Sequence, residues 1–211
     1  MRLQATFVLI AFLLSPFVST VTIEHYRTGT CKGNHVTCSG IREFQCCNVK
    51  PNRQSVFSSA KFRGLPTTAI GNVCRLKGSN DCGSVQKSVR GLNQCAGLAN
   101  ARGSFWFDCR RNRQCSRLQS REEVNATAVD GFMGSQANET ILPNIVGIGG
   151  HLFPVYYDTP ENITVILIEI FENDGSYEDV PEEVRGMEIT DDDVGEDVDE
   201  DADGDEDGDT E

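Results

Sequence analysis

Nine cysteines lie close together in this chain, and they constrain its fold more than any other feature. All of them fall within the 85 residues from Cys31 to Cys115. They are Cys31, Cys38, Cys46, Cys47, Cys74, Cys82, Cys95, Cys109 and Cys115. A density above one residue in ten is typical of a disulfide scaffold in a secreted protein.

The number of cysteines predicts disulfides without fixing how they pair. Because nine is odd, one thiol is left over or pairs with another molecule, as in a disulfide-linked dimer. Cys46 and Cys47 are adjacent, and we expect them to pair with different partners. Eight cysteines allow roughly 105 connectivities, and the sequence does not choose among them.

The first 20 residues have the pattern of a secretory signal peptide. A basic start at Arg2 precedes a mostly apolar run, Ala5–Leu14, and then Pro16 and small residues. This order is typical of a cleaved leader. The apolar run is shorter than the roughly 20 residues that a membrane span needs. We therefore expect residues 1–20 to be a signal peptide, the mature protein to be secreted and extracellular, and no transmembrane segment.

Charge divides the chain into two parts of opposite sign. Residues 21–120 hold 16 basic and 4 acidic residues, a net charge of +12. From residue 121 to the end, 2 basic and 28 acidic residues give a net charge of −26. Such asymmetry indicates electrostatic partners. The plainer interpretation is solubility, in which a charged surface and the acidic tail keep the molecule dispersed. The sharper hypothesis is that the basic head suits an anionic polymer or surface and that the acidic tail folds back and screens it.

The last 21 residues, 191–211, include 14 acidic residues and no aromatic one. This composition predicts a disordered tail, since it has almost nothing to bury. Asp199, Asp201 and Asp203 alternate as in a calcium-binding EF-hand, but Thr210 stands where that loop needs a glutamate. The chain has no C-x-x-C and three histidines. We therefore assign no metal site and no cofactor.

Composition places the other boundaries. Residues 21–120 form the basic cysteine-rich domain, 121–140 a glycosylated linker, and 141–190 a small second module. Three sequons predict N-glycosylation, and their asparagines are Asn125, Asn138 and Asn162.

Short apolar and aromatic runs separated by glycines predict a mainly β head. One run, Phe105–Phe107, is expected to be core and not an exposed binding platform. In the second module, two apolar runs around Gly149-Gly150 predict a hairpin, with Pro154 on an edge strand. Residues 160–173 suit a strand by propensity. However, the end signals are those of a helix, with Thr159 as the N-cap, Pro160 at the first helical position and Gly175 after the end. We predict a helix packed on the hairpin. The predicted fold is thus a small disulfide-rich, mainly β head, a small α+β module (hairpin plus helix) and a disordered acidic C-terminal tail.

No catalytic residue is assigned from the sequence. His25, His35 and His151 are the only histidines, and no nucleophile or metalloprotease motif accompanies them. A site with two carboxylates, or a ribonuclease-like site using Glu43 and His35, stays open without support from spacing.

Several features of residues 1–120 resemble fungal small secreted cysteine-rich proteins. These features are the signal peptide, the Cys46-Cys47 doublet, and Phe62–Pro66 before Gly71 and Cys74. Hydrophobins also have cysteine doublets, but they require two and this chain has one. The resemblance is generic and implies no functional residues.

We expect a secreted, non-enzymatic interaction protein that is effector-like or associated with a cell wall or surface. The alternative is a small secreted hydrolase or a toxin-like protein whose site one sequence does not show. A pocket that joins His35 or His151 with carboxylates would favour the alternative. Tightly packed scaffold residues without such a pocket would favour binding.

Overall fold

A computed structural model describes residues 21–49, 56–110, 137, 139–157 and 159–190 of the chain. The predicted signal peptide, the predicted acidic tail and most of the predicted linker lie outside the described residues. So do Cys115, Asn125 and Asn138.

Most of the described residues are in strands. The eleven strands are β1 (Val21–Tyr26), β2 (His35–Ile41), β3 (Gln45–Cys47), β4 (Phe57–Arg63), β5 (Ala69–Lys77), β6 (Asn80–Arg90), β7 (Gln94–Ala101), β8 (Gly103–Asp108), β9 (Glu139–Ile141), β10 (Ile145–Ile148) and β11 (His151–Pro154). Two helices follow, α1 (Glu161–Glu172) and α2 (Glu182–Arg185), with a 3-10 turn (Tyr177–Asp179) between them. The predicted mainly β head and the hairpin-plus-helix module are both confirmed.

The strands form two sheets. The six-stranded sheet has the order β11-β10-β2-β1-β4-β7, and the five-stranded sheet has the order β6-β5-β8-β3-β9. Neighbouring strands are antiparallel except for β3 and β9. The predicted hairpin is β10–β11, and Gly149 and Gly150 both have the positive φ that its tight turn requires. It pairs with β2, so it extends the six-stranded sheet, and β11 with Pro154 forms the edge.

The main core lies between the sheets. Successive side chains of a strand point to opposite faces, so alternate residues of each strand face this core. Val21 and Ile23 of β1 pack there against residues of the five-stranded sheet that include Val73 and Trp106. The buried indole N–H of Trp106 donates a hydrogen bond to the carbonyl of Ile41 at 2.8 Å, which satisfies its polar group.

A second, smaller cluster belongs to the other face of the five-stranded sheet. Ile70, Phe105 and Phe107 are completely buried in it, and the half-buried ring of Phe44 stacks on Phe107 at 5.7 Å. Alternate residues of β8 therefore serve two clusters, since Trp106 belongs to the first. This burial confirms that Phe105–Phe107 is core.

Helix α1 covers the ambiguous segment 160–173, and the predicted helix is confirmed. Its buried residues are Thr164, Leu167, Ile168 and Phe171. They recur at helical spacing, and the helix packs against β10. The predicted cap is wrong: Pro160 and not Thr159 is the N-cap, without a side-chain capping hydrogen bond. In the described residues, no helix is both long and apolar enough to cross a membrane.

Disulfides are present, as the cysteine density predicts. Cys31 pairs with Cys95, Cys38 with Cys47, and Cys46 with Cys82. Adjacent positions on β3 face opposite sides of its sheet, so Cys46 and Cys47 have different partners, as expected. Cys109 is also disulfide-bonded. Cys74 keeps its thiol and is completely buried, so an interchain bridge through it would require its exposure.

We predict that the Cys31–Cys95 bridge contributes about 4 kcal/mol to the free energy of unfolding, because its sequence separation of 64 restricts the unfolded chain strongly. Neither residue is buried, so replacing both with serine removes little packing. Urea unfolding of C31S/C95S and of the unchanged protein measures the difference. A loss below about 1 kcal/mol would show that the entropic account does not apply to this bridge.

Candidate functional site

A cavity of about 590 Å³ opens on the outer face of the six-stranded sheet, the face turned away from the main core. This size is within the range of roughly 300–1,000 Å³ that small-molecule sites occupy. The residues that line the cavity are Thr22, Glu24, His35, Thr37, Arg63, Ile145, Gly150, Leu152, Glu188, Ile189 and Thr190. Polar and charged side chains predominate on its β1, β2 and β4 side, and apolar ones on its hairpin side.

Strand alternation and register bring the polar side chains together. Val21 and Ile23 face the core, so Thr22, Glu24 and Tyr26 on the same strand point outward. In the register of β1 with its neighbours, Glu24 lies opposite Thr37 of β2 and Lys61 of β4. Tyr26 lies opposite His35, and Thr22 lies opposite Arg63. Three strands thus supply one polar cluster.

The carboxylate of Glu24 is the buried centre of this cluster. The residue is 5% exposed. Its Oε2 accepts a hydrogen bond from the Tyr26 hydroxyl at 2.6 Å, and its Oε1 lies 2.5 Å from Nε of Arg63. A buried carboxylate needs such partners, because leaving it unpaired costs several kcal/mol. The two donors therefore fix the position of Glu24, and Glu24 fixes theirs.

The cluster also changes the acidity of its members. Burial, followed by the hydrogen bond and the negative charge of Glu24, raises the pKa of Tyr26 well above its ordinary value. Burial opposes the charged form of Arg63, but the Glu24 carboxylate outweighs it and raises the pKa of Arg63. Tyr26 therefore remains a hydroxyl donor and Arg63 remains a cation at any physiological pH.

His35 lies beside this ion pair with one nitrogen assigned as a donor. Its Nδ1 is 3.3 Å from the carbonyl of Gly33, which can only accept, so Nδ1 carries the proton in the neutral ring. The lone pair is then on Nε2. Burial lowers the pKa of His35, and the nearby Glu24 only partly offsets this. At neutral pH the imidazole is uncharged and able to accept a proton.

A glycine makes room for this imidazole. Gly147 of β10 lies opposite His35 in the sheet, and a Cβ added there would clash with the His35 ring. The ring also packs against Tyr26, with centroids 5.1 Å apart. The His35 ring therefore packs between the Tyr26 ring and the backbone of Gly147.

The far rim of the cavity comes from the C-terminal part of the second module. The backbone N–H of Ile189 donates to the carbonyl of Leu152 at 2.9 Å, which places Glu188 and Thr190 at the cavity. Nδ1 of His151 lies 2.7 Å from Oε1 of Glu188, and the His151 ring stacks on Tyr177 at 3.8 Å. The second module thus completes the pocket that the head begins.

The structure does not bring together the two residues, His35 and Glu43, that the sequence suggested as a site. His35 lines the cavity, whereas Glu43, its suggested carboxylate partner, is not among the lining residues. The carboxylate beside His35 is Glu24. The cavity thus joins His35 with carboxylates, the arrangement that favours the alternative of a hydrolase or toxin-like protein. The spacing of Glu24 and Tyr26, two residues apart on a strand with Ile23 and His25 on its other face, indicates that both side chains share one face, but it does not indicate that His35 lies beside them.

His25 is a core residue. It is completely buried between the sheets, its ring stacks on Phe57 at 3.7 Å, and its Nε2 is 2.6 Å from Oγ of Ser104. These contacts provide a partner for a polar ring in an apolar core, as burial requires. They also keep His25 away from the outer cavity.

Of the three predicted glycosylation sites, Asn162 is the one that the structure describes. It is exposed in the first turn of α1. The hydroxyl of Thr164 in the same sequon is buried and accepts a hydrogen bond from the Tyr156 backbone N–H at 3.0 Å. Glycosylation itself stays a prediction.

Comparison with known proteins gives one match. A family model described as ARB_05566_N: N-terminal domain matches residues 22–130. The matched range includes Glu24, Tyr26, His35 and Arg63, and it ends before the hairpin and α1. Comparisons with curated proteins and with solved structures found no match. Among the described residues, no group of three or more side chains is arranged to hold a metal ion.

We predict that His25 makes the folded state sensitive to acid. Burial lowers its pKa from 6.5 to about 3. Below its ordinary pKa, the unfolded chain binds a proton that the folded chain does not. The free energy of unfolding should therefore fall by about 1.4 kcal/mol per pH unit as pH decreases from 6.5 towards 3.

Urea unfolding of H25Q and of the unchanged protein between pH 6 and pH 4 measures this contribution. H25Q should be less stable at pH 7. Its free energy of unfolding should fall less steeply as pH decreases, by about 1.4 kcal/mol per pH unit, the contribution of one proton. H35Q is measured in the same way for comparison, because it removes a histidine that lies at the outer cavity and not in the core. Equal slopes for H25Q and the unchanged protein would contradict the assignment.

Proposed function

We propose that this chain, which belongs to the ARB_05566_N: N-terminal domain family, is a secreted interaction protein that binds an anionic polymer through the outer cavity. The observation that carries this proposal is the position of Arg63. It is anchored on a buried carboxylate and yet half-exposed at the edge of the cavity.

Several features support secretion. Disulfides form and persist in oxidising compartments, and this chain has three between described residues, with Cys109 as a seventh bonded cysteine. The pattern of residues 1–20 predicts a leader. An effector-like role or an association with a cell wall or surface is consistent with such a compact, cross-linked protein.

The geometry of Arg63 suits an anionic group. A guanidinium has five N–H donors in a planar fork, and the contact with Glu24 uses Nε. Tyr26 also hydrogen-bonds the Arg63 side chain. That side chain is 53% exposed, so its remaining N–H groups can meet a phosphate, sulfate or carboxylate in the cavity. Lys61 lies next to this position, opposite Glu24. The local arrangement therefore anchors one anionic group.

The charge of the surrounding head supports a polymer over a single small anion. Residues 21–120 have a net charge of +12, from 16 basic and 4 acidic residues. Side chains that are exposed on the head include Lys32, Arg42 and Lys87. A repeating anion would gain from these charges beyond the cavity, and its binding would weaken with salt.

The acidic C-terminal segment is proposed to compete for the same surface. Thr190 lines the cavity, and the next 21 residues hold 14 acidic side chains. A segment attached at the edge of a site has an effective concentration in the millimolar range. We infer that residues 191–211 screen the basic head and reduce its affinity for other anions.

We expect inorganic polyphosphate to bind the full chain, with Arg63 as a main contact. R63Q should weaken this binding about tenfold, the value of one or two charge-assisted hydrogen bonds. R75Q is the matched control, because Arg75 is exposed on β5 of the other sheet and should change affinity less than threefold. Isothermal titration calorimetry at two salt concentrations measures the affinities.

The screening proposal is tested with a full-length variant whose acidic residues in 191–211 are changed to Asn or Gln. It should bind polyphosphate at least about tenfold more tightly than the unchanged chain at low salt, and the difference should shrink at high salt. Equal affinities would refute screening. Equal losses in R63Q and R75Q would refute the cavity as the binding site.

A further inference from the structure

The outer cavity holds more than an anion-binding group, because a proton acceptor lies beside it. His35 donates through Nδ1 to Gly33, so its Nε2 has the lone pair, and the ring is fixed by Tyr26 and Gly147. An imidazole fixed in this way, and uncharged at neutral pH, is the commonest general base in enzymes. The hydrogen bond to the Gly33 carbonyl orients the imidazole, as an additional hydrogen-bonding group orients the general base in many enzymes.

Arg63 supplies the second requirement of catalysis, a fixed positive charge. Glu24 holds its Nε from one side, and Tyr26 holds Glu24 in turn. Donors that are positioned before the reaction stabilise the charge that develops in a transition state without reorganising. Glu24 and Tyr26 are thus positioning residues, and Arg63 is the group that would touch the reacting anion.

The cavity lining does not offer a usual protein nucleophile. Within the lining that the structure describes, no serine or cysteine is present, and the hydroxyls belong to Thr22, Thr37 and Thr190. A substrate that carries its own nucleophile needs only a base and an anion clamp. In ribonucleic acid, the 2′-hydroxyl next to each phosphodiester meets this condition.

We propose that the outer cavity cleaves single-stranded RNA, with His35 as the general base and Arg63 as the clamp on the scissile phosphate. This inference rests on the proposed anion-binding function and gives its ligand a chemical class. RNA is a polyanion of the kind that the basic head would attract, and single strands give side chains access to the sugar and phosphate.

The reaction balances without a cofactor. Nε2 of His35 takes the proton of the 2′-hydroxyl, whose oxygen forms a bond to phosphorus. The bond from phosphorus to the 5′-oxygen of the next nucleotide breaks, and that oxygen takes a proton from water. The imidazolium of His35 then returns its proton to the solvent. The products are a 2′,3′-cyclic phosphate and a new 5′-hydroxyl.

The test uses the full chain and its variant with a neutralised tail, purified from cells and assayed with a fluorogenic RNA oligonucleotide. A 2′-deoxy oligonucleotide and a 2′-O-methyl oligonucleotide of the same sequence serve as uncleavable substrates. We expect cleavage of the RNA alone, with a 2′,3′-cyclic phosphate detected by mass spectrometry. H35A should reduce the rate about 100-fold or more, the usual contribution of a general base.

Two further variants test the anion clamp, and chemical rescue separates catalysis from folding. R63Q should reduce cleavage by about 100-fold, as expected for a lost clamp, whereas R75Q should retain the rate within threefold. Imidazole added to the solution should partly restore cleavage by H35A, because the removed side chain leaves space beside Gly147. A structural role for His35 would not give such rescue.

Each result decides a separate statement. RNA that is not cleaved, cleavage that survives H35A, or cleavage of the deoxy oligonucleotide would overturn the inference. Binding of the 2′-O-methyl oligonucleotide that depends on Arg63, without cleavage of RNA, would leave the proposed function standing and remove the catalytic role. If the unchanged protein neither binds nor cleaves RNA, both the proposed anion-binding function and the catalytic role are wrong.

Discussion

The alternation of side chains along β1 is the constraint on which the rest of this structure depends. This strand lies inside the six-stranded sheet, paired with β2 on one side and β4 on the other. Its odd-numbered residues, from Val21 to His25, enter the core, and Thr22 and Glu24 form one side of the outer cavity. A shift of one residue in the register would move Glu24 into the core and Ile23 into the cavity. Packing therefore fixes the chemistry of the outer face.

The disulfides connect the strands and sheets between which the inward-facing side chains pack. Cys47 on β3 of the five-stranded sheet pairs with Cys38 on β2 of the six-stranded sheet, so that bridge joins the two layers. Its neighbour Cys46 pairs with Cys82 on β6 within the five-stranded sheet. The Cys31–Cys95 bridge ties the loop before β2 to β7. Cross-links of this kind restrict the unfolded chain and stabilise a domain of modest size.

The charges of the side chains nearest the outer cavity determine its electrostatics, and the net charge of the whole molecule does not describe them. The chain has a net charge of −13, yet the cavity is formed in part by the basic head and contains a buried ion pair. The carboxylate of Glu24 would be costly without Tyr26 and Arg63, and those donors are in turn aligned by it. The imidazole of His35 stays neutral beside them because its partial burial lowers its pKa. A net charge alone indicates none of these relations.

The sequence by itself determined the elements whose signals are local. The Gly149-Gly150 turn of the hairpin and the end signals of helix α1 lie within a few residues of the elements that they define. Cysteine density predicted disulfides for the same reason, since it needs no knowledge of the pairing. Even the different partners of Cys46 and Cys47 follow from their adjacency on one strand.

Only the tertiary structure decided the disulfide pairing and the cavity. Glu24, His35 and Arg63 come from three strands, and their meeting depends on the order β2-β1-β4 and on the register of each pair. Sequence reasoning offered Glu43 to His35 because it is nearby in the chain, and it passed over Glu24. Strand pairing over long separations is set by the packing of the whole core, and so no local pattern contains it.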